Sequence, residues 1–358
     1  MNSLLMPSPC GSLDFKQRKI QRSFLCARSV ARMWPPRAQP EGGDHIAVEI
    51  VLEYARCGKY NGRDHSVVTA VVSFIASVGS RAYFCRMRTA EEHVTVREHH
   101  VPVPGGQLFV REWIPRLVID GASPLVLLHD SLGSVTLWRD FPERLARAVR
   151  RPAIAYDRLG FGQSSARHEP PSLRFIDEEA ELYFPAVREA LGFTNFSLFG
   201  HSVGGGMSIV IAATMPDFCE HVISESAQSF LEAHTLDGIR TAKVQFDNPA
   251  YFAKLTRFHG EKAKWVLDAW TEAWMSPAFT DWTLDPYLSR VRCPTLVIHG
   301  DADEFGSVEF PCRIARGVQG AAQLEIIAGC GHVPHREQPD RVISLIADFL
   351  GERAPGAV

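Results

Sequence analysis

The sequence predicts an α/β fold, a mostly parallel sheet flanked by helices and interrupted by a helical cap insertion. Three observations predict it. From Met87 onward, strand-like and helix-like segments alternate, the pattern that sandwiches a parallel sheet between helix layers. Several strand candidates are apolar throughout instead of alternating, as strands covered on both faces are. About sixty residues, 229–288, then break the alternation and carry eleven aromatics.

Taken in order, Val94–Val103 and Gln107–Ile114 read as a hairpin across Pro104-Gly105-Gly106, and Pro124–His129 as a short apolar strand ending in a polar loop. A helix over Trp138–Val149, a strand at Ala153–Tyr156, a long amphipathic helix at about Phe175–Leu191 and a strand at Phe196–Phe199 follow. Next come a helix from Val203 and a strand at His221–Ser226. The aromatic-rich stretch, with Phe246, Trp265, Trp270, Trp274 and Trp282, reads as helices standing over one sheet edge. Strand Pro294–His299, helix 308–316, strand Leu324–Ile327 and helix 339–350 close the chain.

The chain has 358 residues, 46% hydrophobic and 22% charged, with a formal charge of −3. That length suits one α/β domain with an insertion, and that balance excludes a disordered or polytopic membrane chain. It also carries no global attraction for nucleic acid or an anionic membrane, so a small, largely neutral partner is expected. The eight cysteines are scattered without a C-x-x-C pair, which fits a reducing cytoplasm.

The charge is unevenly distributed. Residues 1–86 hold 12 Lys+Arg against 6 Asp+Glu, and the remainder 26 against 35. The first forty residues are rich in Ser, Arg and Pro with Asp14 as their one acid, the composition of a transit peptide or of a plain disordered tail. The apolar run Val67–Val78 is too short to span a bilayer. Residues 1–86 are therefore read as a poorly structured extension, either a tail or an artefact of the gene model with Met87 as the true start, and 87–358 as a self-contained domain.

Gly200-His201-Ser202-Val203-Gly204 is a G-x-S-x-G between the strand SLF and the helix VGGGMSIVIAA. In that context the motif makes a sharp strand-to-helix turn that projects the serine hydroxyl outward, with a helix N-terminus beneath it to favour developing negative charge. Elsewhere it is only a flexible glycine turn. A serine hydroxyl needs a histidine base oriented by a carboxylate. The strand PTLVIHG ends in Gly300-Asp301-Ala302-Asp303-Glu304, at the rim where α/β sites form, with Asp303 as the acid and Asp301 as fallback. Calcium binding by this turn fails on spacing, since Phe305 and Cys312 occupy ligand positions. After LEIIA, the loop Gly329-Cys330-Gly331-His332-Val333-Pro334-His335 offers His332 as base. His335 reads as a supporting or surface residue, because H-x-x-H without a third ligand is no metal signature. Cys330 has no elbow of its own and reads as a small loop residue.

The segments LVLLHDSLGS, YDRLGFGQSS, GHSVGGG, HGDADE and GCGHVPHREQP, in this order, identify a resemblance to the α/β-hydrolase superfamily, particularly its compact serine esterase and C–C hydrolase branch with a helical cap. The resemblance covers about residues 87–358. It implies a triad of Ser202, Asp303 and His332, with the backbone N–H groups of Ser131 and Val203 as the oxyanion hole. His129 is followed by Asp130 where the family usually has glycine, and Asp130 either caps the loop or points at the substrate. Asp157 and Arg158 resemble a buttressing loop, with structural ion pairing as the expected role. Most cap aromatics pack the insertion, while Trp270 and Trp274 are expected to contact substrate.

The function this implies is hydrolysis of a small carboxylic ester through an acyl-enzyme. Cleavage of a carbon–carbon bond in a ring-fission diketone, or acyl transfer, uses the same triad, and a non-catalytic ligand receptor keeps only the fold. No P-loop, zinc-finger spacing or G-x-G-x-x-G is present, so neither a metal nor a nucleotide cofactor is expected.

Overall fold

The structure, a computed structural model, describes residues 93–351. The expectations for residues 1–86, including the run Val67–Val78 and the start at Met87, lie outside the described residues. Within them, eight strands form one sheet in the order β1-β2-β4-β3-β5-β6-β7-β8. β1 (Val94–Val103) and β2 (Gly106–Pro115) form the hairpin, and β2 runs antiparallel to β4 (Ala153–Tyr156). From β4 through β3 (Leu125–Leu128), β5 (Phe196–His201), β6 (Cys219–Glu225), β7 (Thr295–Gly300) and β8 (Ala322–Ile327), every pair is parallel.

The apolar strands are apolar for the reason the pattern suggests, since both faces of the sheet are covered. Val126 and Leu128 point into one core with α2 (Phe175–Glu178), α3 (Phe184–Leu191) and α4 (Val203–Thr214). Leu125 and Leu127 point into the other, with α1 (Phe141–Val149). The long amphipathic helix expected at 175–191 is not uniform. A π-helical turn, Glu179–Tyr183, joins α2 to α3 and turns Glu179 into a buried position.

Between β6 and β7 lie α5 (Ala233–Phe246), α6 (Pro249–His259), α7 (Ala263–Trp274) and α8 (Asp285–Leu288). They cross the carboxyl ends of the central strands and do not stand over a sheet edge. Lys262 Nζ donates to the carbonyls of Phe161, Gly162 and Ser164 after β4, while Thr235 Oγ1 donates to Phe305 O after β7 at 2.8 Å. The loops there offer unpaired carbonyls that a crossing helix can satisfy, whereas a sheet edge offers only the backbone of one strand. Helices α9 (Glu309–Gly317), α10 (Pro334–Glu337) and α11 (Pro339–Phe349) complete the chain, α11 packing with α1. Among the described residues no helix is long and apolar enough to cross a membrane.

Candidate active site

Ser202 sits between β5 and α4 at φ 56°, ψ −124°, a conformation costly for a residue with a side chain. The surroundings hold it there. Its N–H donates to Glu225 O at 2.8 Å, and its carbonyl accepts from Gly205 N at 2.8 Å. The motif glycines are required by close approach. A Cβ on Gly200 would lie 2.1 Å from Gly204 O, and one on Gly204 would lie 2.1 Å from Leu128 O. The second contact presses the start of α4 against the end of β3, where the loop bearing Ser131 begins. Gly204→Ala is therefore expected to cost about 3 kcal/mol, because the atoms the new methyl would strike are backbone and cannot swing away. At ~2–4 °C per kcal/mol this is a drop of several degrees in the unfolding midpoint. An unchanged midpoint would refute the packing argument.

His332, in the loop after β8, brings Nε2 to 3.0 Å from Ser202 Oγ. Its Nδ1 lies 2.9 and 2.8 Å from Asp303 Oδ1 and Oδ2. The carboxylate accepts only, so Nδ1 carries the proton and Nε2 is left to accept from the serine hydroxyl. Asp303 Oδ1 also accepts Phe305 N–H at 2.8 Å, and His299 Nε2 stands 3.6 Å from Oδ2. Burial raises the Asp303 pKa, but the charge and hydrogen bond of His332, the neighbouring His299 ring and the Phe305 amide outweigh it and hold the carboxyl below its ordinary range. Asp301, the alternative acid, is exposed and accepts Gly329 N–H at 2.7 Å, so its role is to tie two loops together.

The loop after β3 replaces the usual glycine by a working carboxylate. Asp130 Oδ1 accepts Leu132 N–H at 2.8 Å, and Oδ2 lies 3.4 Å from His201 Nδ1. Burial opposes its charge, but the hydrogen bond and charge of His201 prevail and keep it ionised. Asp130 therefore caps its own loop and pairs inward. His201 Nε2–H donates to His332 O at 2.8 Å, so one imidazole ties the loop after β3 to the loop carrying His332. Burial alone would lower the His201 pKa, yet Asp130 and Glu225 together raise it.

Other assignments change more. His335 is buried, not at the surface, because its Nδ1 finds Glu225 Oε2 at 2.5 Å beneath Trp138 and Phe141. Asp157 and Arg158 buttress the site, but not as an ion pair with each other. Asp157 accepts the amides of Val135 at 2.6 Å and Gln163 at 2.7 Å, and Arg158 Nη2 donates to Asp130 O at 2.8 Å. Cys330 is buried, and burial followed by the Glu337 charge pushes its thiol up to about 12, leaving no reactive thiolate.

Ser131, Trp270 and Trp274 line one cleft beneath α7. Trp270 packs against Phe305, whose ring lies 4.9 Å from that of His332. Val203 is buried at the start of α4. Arg158 and Glu179 line the same cleft, and neither stood out in the sequence as a site residue. Glu179 gave no signal of its own, being one of four acids in the run Asp177-Glu178-Glu179-Ala180-Glu181. His201, Glu225 and His335 are a buried group whose ligand atoms lie within 4.8 Å of one another. The short His335–Glu225 bond and the His201 bond to a carbonyl already engage three of those nitrogens and oxygens, which argues for a scaffold behind the elbow.

Several buried histidines are held neutral. Burial lowers the pKa of His129, His299 and His335 below the ordinary value of 6.5. With folded pKa values below the unfolded ones, these groups stabilise the fold above pH 6.5 and lose that contribution as the pH falls, because the unfolded chain takes up the protons first. Burial lowers His221 and His259 in the same way, while His201 and Glu179, whose carboxyl burial raises to about 7, act oppositely and offset part of the loss. Lowering the pH from about 7.5 to 5.5 is thus expected to remove up to about 1.4 kcal/mol per buried neutral histidine. Calorimetric unfolding should show a falling midpoint, and a midpoint rising over that interval would contradict the assignment.

Residues 125–345, more than half of the chain, match the family model described as alpha/beta hydrolase family. The chain is 24% identical over 267 residues to a proline iminopeptidase of Lactobacillus helveticus, covering 64% of this chain and 90% of that one. It is 26% identical over 262 residues to a 2-hydroxymuconate semialdehyde hydrolase of a Pseudomonas species, covering 66% and 89%. Among solved structures, a proline iminopeptidase from Mycobacterium smegmatis aligns with a TM-score of 0.58 at 22% identity, over 71% of this chain and 98% of the other. An enol-lactonase from Burkholderia xenovorans aligns with a TM-score of 0.56 at 19% identity, over 71% and 100%. At these identities the structural likeness establishes the fold.

Proposed function

Because the chain belongs to the alpha/beta hydrolase family, we propose that it is a serine hydrolase that cleaves a small carboxylic ester through an acyl-enzyme. The observation that carries this reading is the line from Ser202 Oγ to His332 Nε2 at 3.0 Å and on from Nδ1 to Asp303 at 2.8 Å. In the proposed reaction His332 Nε2 takes the hydroxyl proton as Ser202 Oγ attacks the carbonyl carbon. Asp303 holds the imidazole in the Nδ1–H tautomer and stabilises the imidazolium. The amides of Ser131 and Val203 receive the developing oxyanion, each worth roughly 3 kcal/mol of barrier. His332 returns its proton to the leaving alcohol, and water repeats the sequence on the acyl-enzyme.

Relatives named proline iminopeptidase and 2-hydroxymuconate semialdehyde hydrolase support a second reading, an amide or carbon–carbon bond in place of the ester, with the same residues in the same roles. Pre-steady-state hydrolysis of 4-nitrophenyl acetate tests the ester reading. A burst of nitrophenolate equal to the enzyme concentration is expected. No ester turnover alongside rapid cleavage of a prolyl amide or a ring-fission diketone would replace it with the second.

A further inference from the structure

The cleft beneath α7 holds charged groups that the proposed chemistry does not use. Arg158, in the loop after β4, is 6% exposed. One nitrogen donates to Asp130 O, the guanidinium lies 4.2 Å from the centroid of Phe161, and its Nε is buried without a hydrogen-bond partner. Arg167 lines the same cleft, 6.0 Å from the Trp265 ring. The opposing charge that acts most on Arg158, and that also acts on Arg167, is that of Glu179 in the same cleft. Glu179, 3% exposed, faces the cleft from the π-helical turn and accepts Tyr156 O–H at 2.6 Å on one oxygen. Ser131, the proposed oxyanion donor, lines the same cleft and is the residue that joins it to the proposed chemistry.

A buried, always-charged donor with an open N–H is expensive unless a ligand completes it, and charge-assisted bonds to a carboxylate oxygen are the strongest way to do so. We infer that this cleft binds a carboxylate carried at the far end of the substrate acyl group, with Arg158 and Arg167 as its donors. The substrate class is thereby narrowed to half-esters and related anionic acyl compounds, against the neutral partner that whole-chain charge suggests. For turnover the inference rests on the serine hydrolase reading; for binding it does not.

Glu179 gives the site a pH signature. Burial raises its carboxyl to about 7, against the lowering effects of the Arg158 and Arg167 charges and the Tyr156 hydrogen bond, with Glu178 on the same helical run adding to the rise. Below pH 7 the neutral acid leaves both guanidinium fields to the ligand. Above it the carboxylate competes with the ligand.

The test compares monomethyl glutarate with methyl pentanoate, which has the same acyl carbon count and a terminal methyl. Wild type is expected to prefer the half-ester by at least about tenfold in kcat/KM at pH 6, and the ratio should fall as the pH rises to 8.5. Taking the ratio cancels the titration of the shared triad. Arg167→Gln and Arg158→Met are each expected to bring it towards unity, and Glu179→Gln to keep the preference while flattening its pH dependence. The half-buried Arg167 keeps the test open if Arg158→Met fails to fold. A wild-type ratio of one or less, or a ratio untouched by Arg167→Gln and Arg158→Met, overturns the inference. Should neither ester be turned over, the ester reading fails separately, and calorimetric titration of the Ser202→Ala protein decides the binding. Tighter binding of monomethyl glutarate sustains the carboxylate site, and equal or absent binding overturns it.

Discussion

Ser202→Ala is expected to lower kcat/KM for an ester substrate by at least ~10⁴-fold, since removing the nucleophile of such a unit abolishes nearly everything the triad contributes. The unfolding midpoint should stay close to wild type. The hydroxyl meets only His332, and the backbone contacts that hold the elbow, Ser202 N–H to Glu225 O and Gly205 N–H to Ser202 O, remain in the variant. Steady-state kinetics with calorimetric unfolding on the same preparation checks both halves. Turnover retained in a folded variant would remove Ser202 from the mechanism, whereas lost turnover with a collapsed midpoint would show a structural role.

Asp303→Asn carries the second-largest expectation, a fall of ~10³–10⁴ in kcat with KM little changed. The asparagine oxygen can still accept Phe305 N–H, which uses Oδ1 in the wild type. Its amide nitrogen then faces His332 Nδ1 and demands an acceptor there, which moves the imidazole proton to Nε2 and leaves Ser202 without a base. Asp301→Asn provides the contrast, because Asp301 only accepts Gly329 N–H and lies outside the relay. Equal losses in the two variants would contradict the assignment of Asp303.

The alternation of elements was readable from residue 87 onward because both faces of the sheet are covered, which forces apolar runs such as LVLL and AIAY. The elbow was readable for a similar reason. Two glycines whose Cβ atoms would strike backbone leave a fixed trace around Ser202. Asp303 and Asp301 sit two residues apart on one rim, and only the fold of the turn shows which of them reaches Nδ1.

Features built from distant partners were not readable. The burial of His335 depends on Glu225, 110 residues away, and that pair leaves no local pattern. The π-helical turn that points Glu179 inward occupies a stretch with ordinary helical periodicity. The placement of the cap over the carboxyl ends of the strands rests on Lys262 and three carbonyls about a hundred residues away. Arg158 sits in a motif read as a buttress, which it is through Asp130 O, while the open Nε that suggests a ligand is visible only in three dimensions.

Intact mass after brief exposure to a small fluorophosphonate, wild type against Ser202→Ala, tests the central claim most directly. Only a serine with an adjacent base and oxyanion donors reacts rapidly with such a reagent. A single adduct on wild type and none on Ser202→Ala is the predicted result. An unmodified wild type, or an adduct that persists in Ser202→Ala, would contradict the proposal that Ser202 is an activated nucleophile.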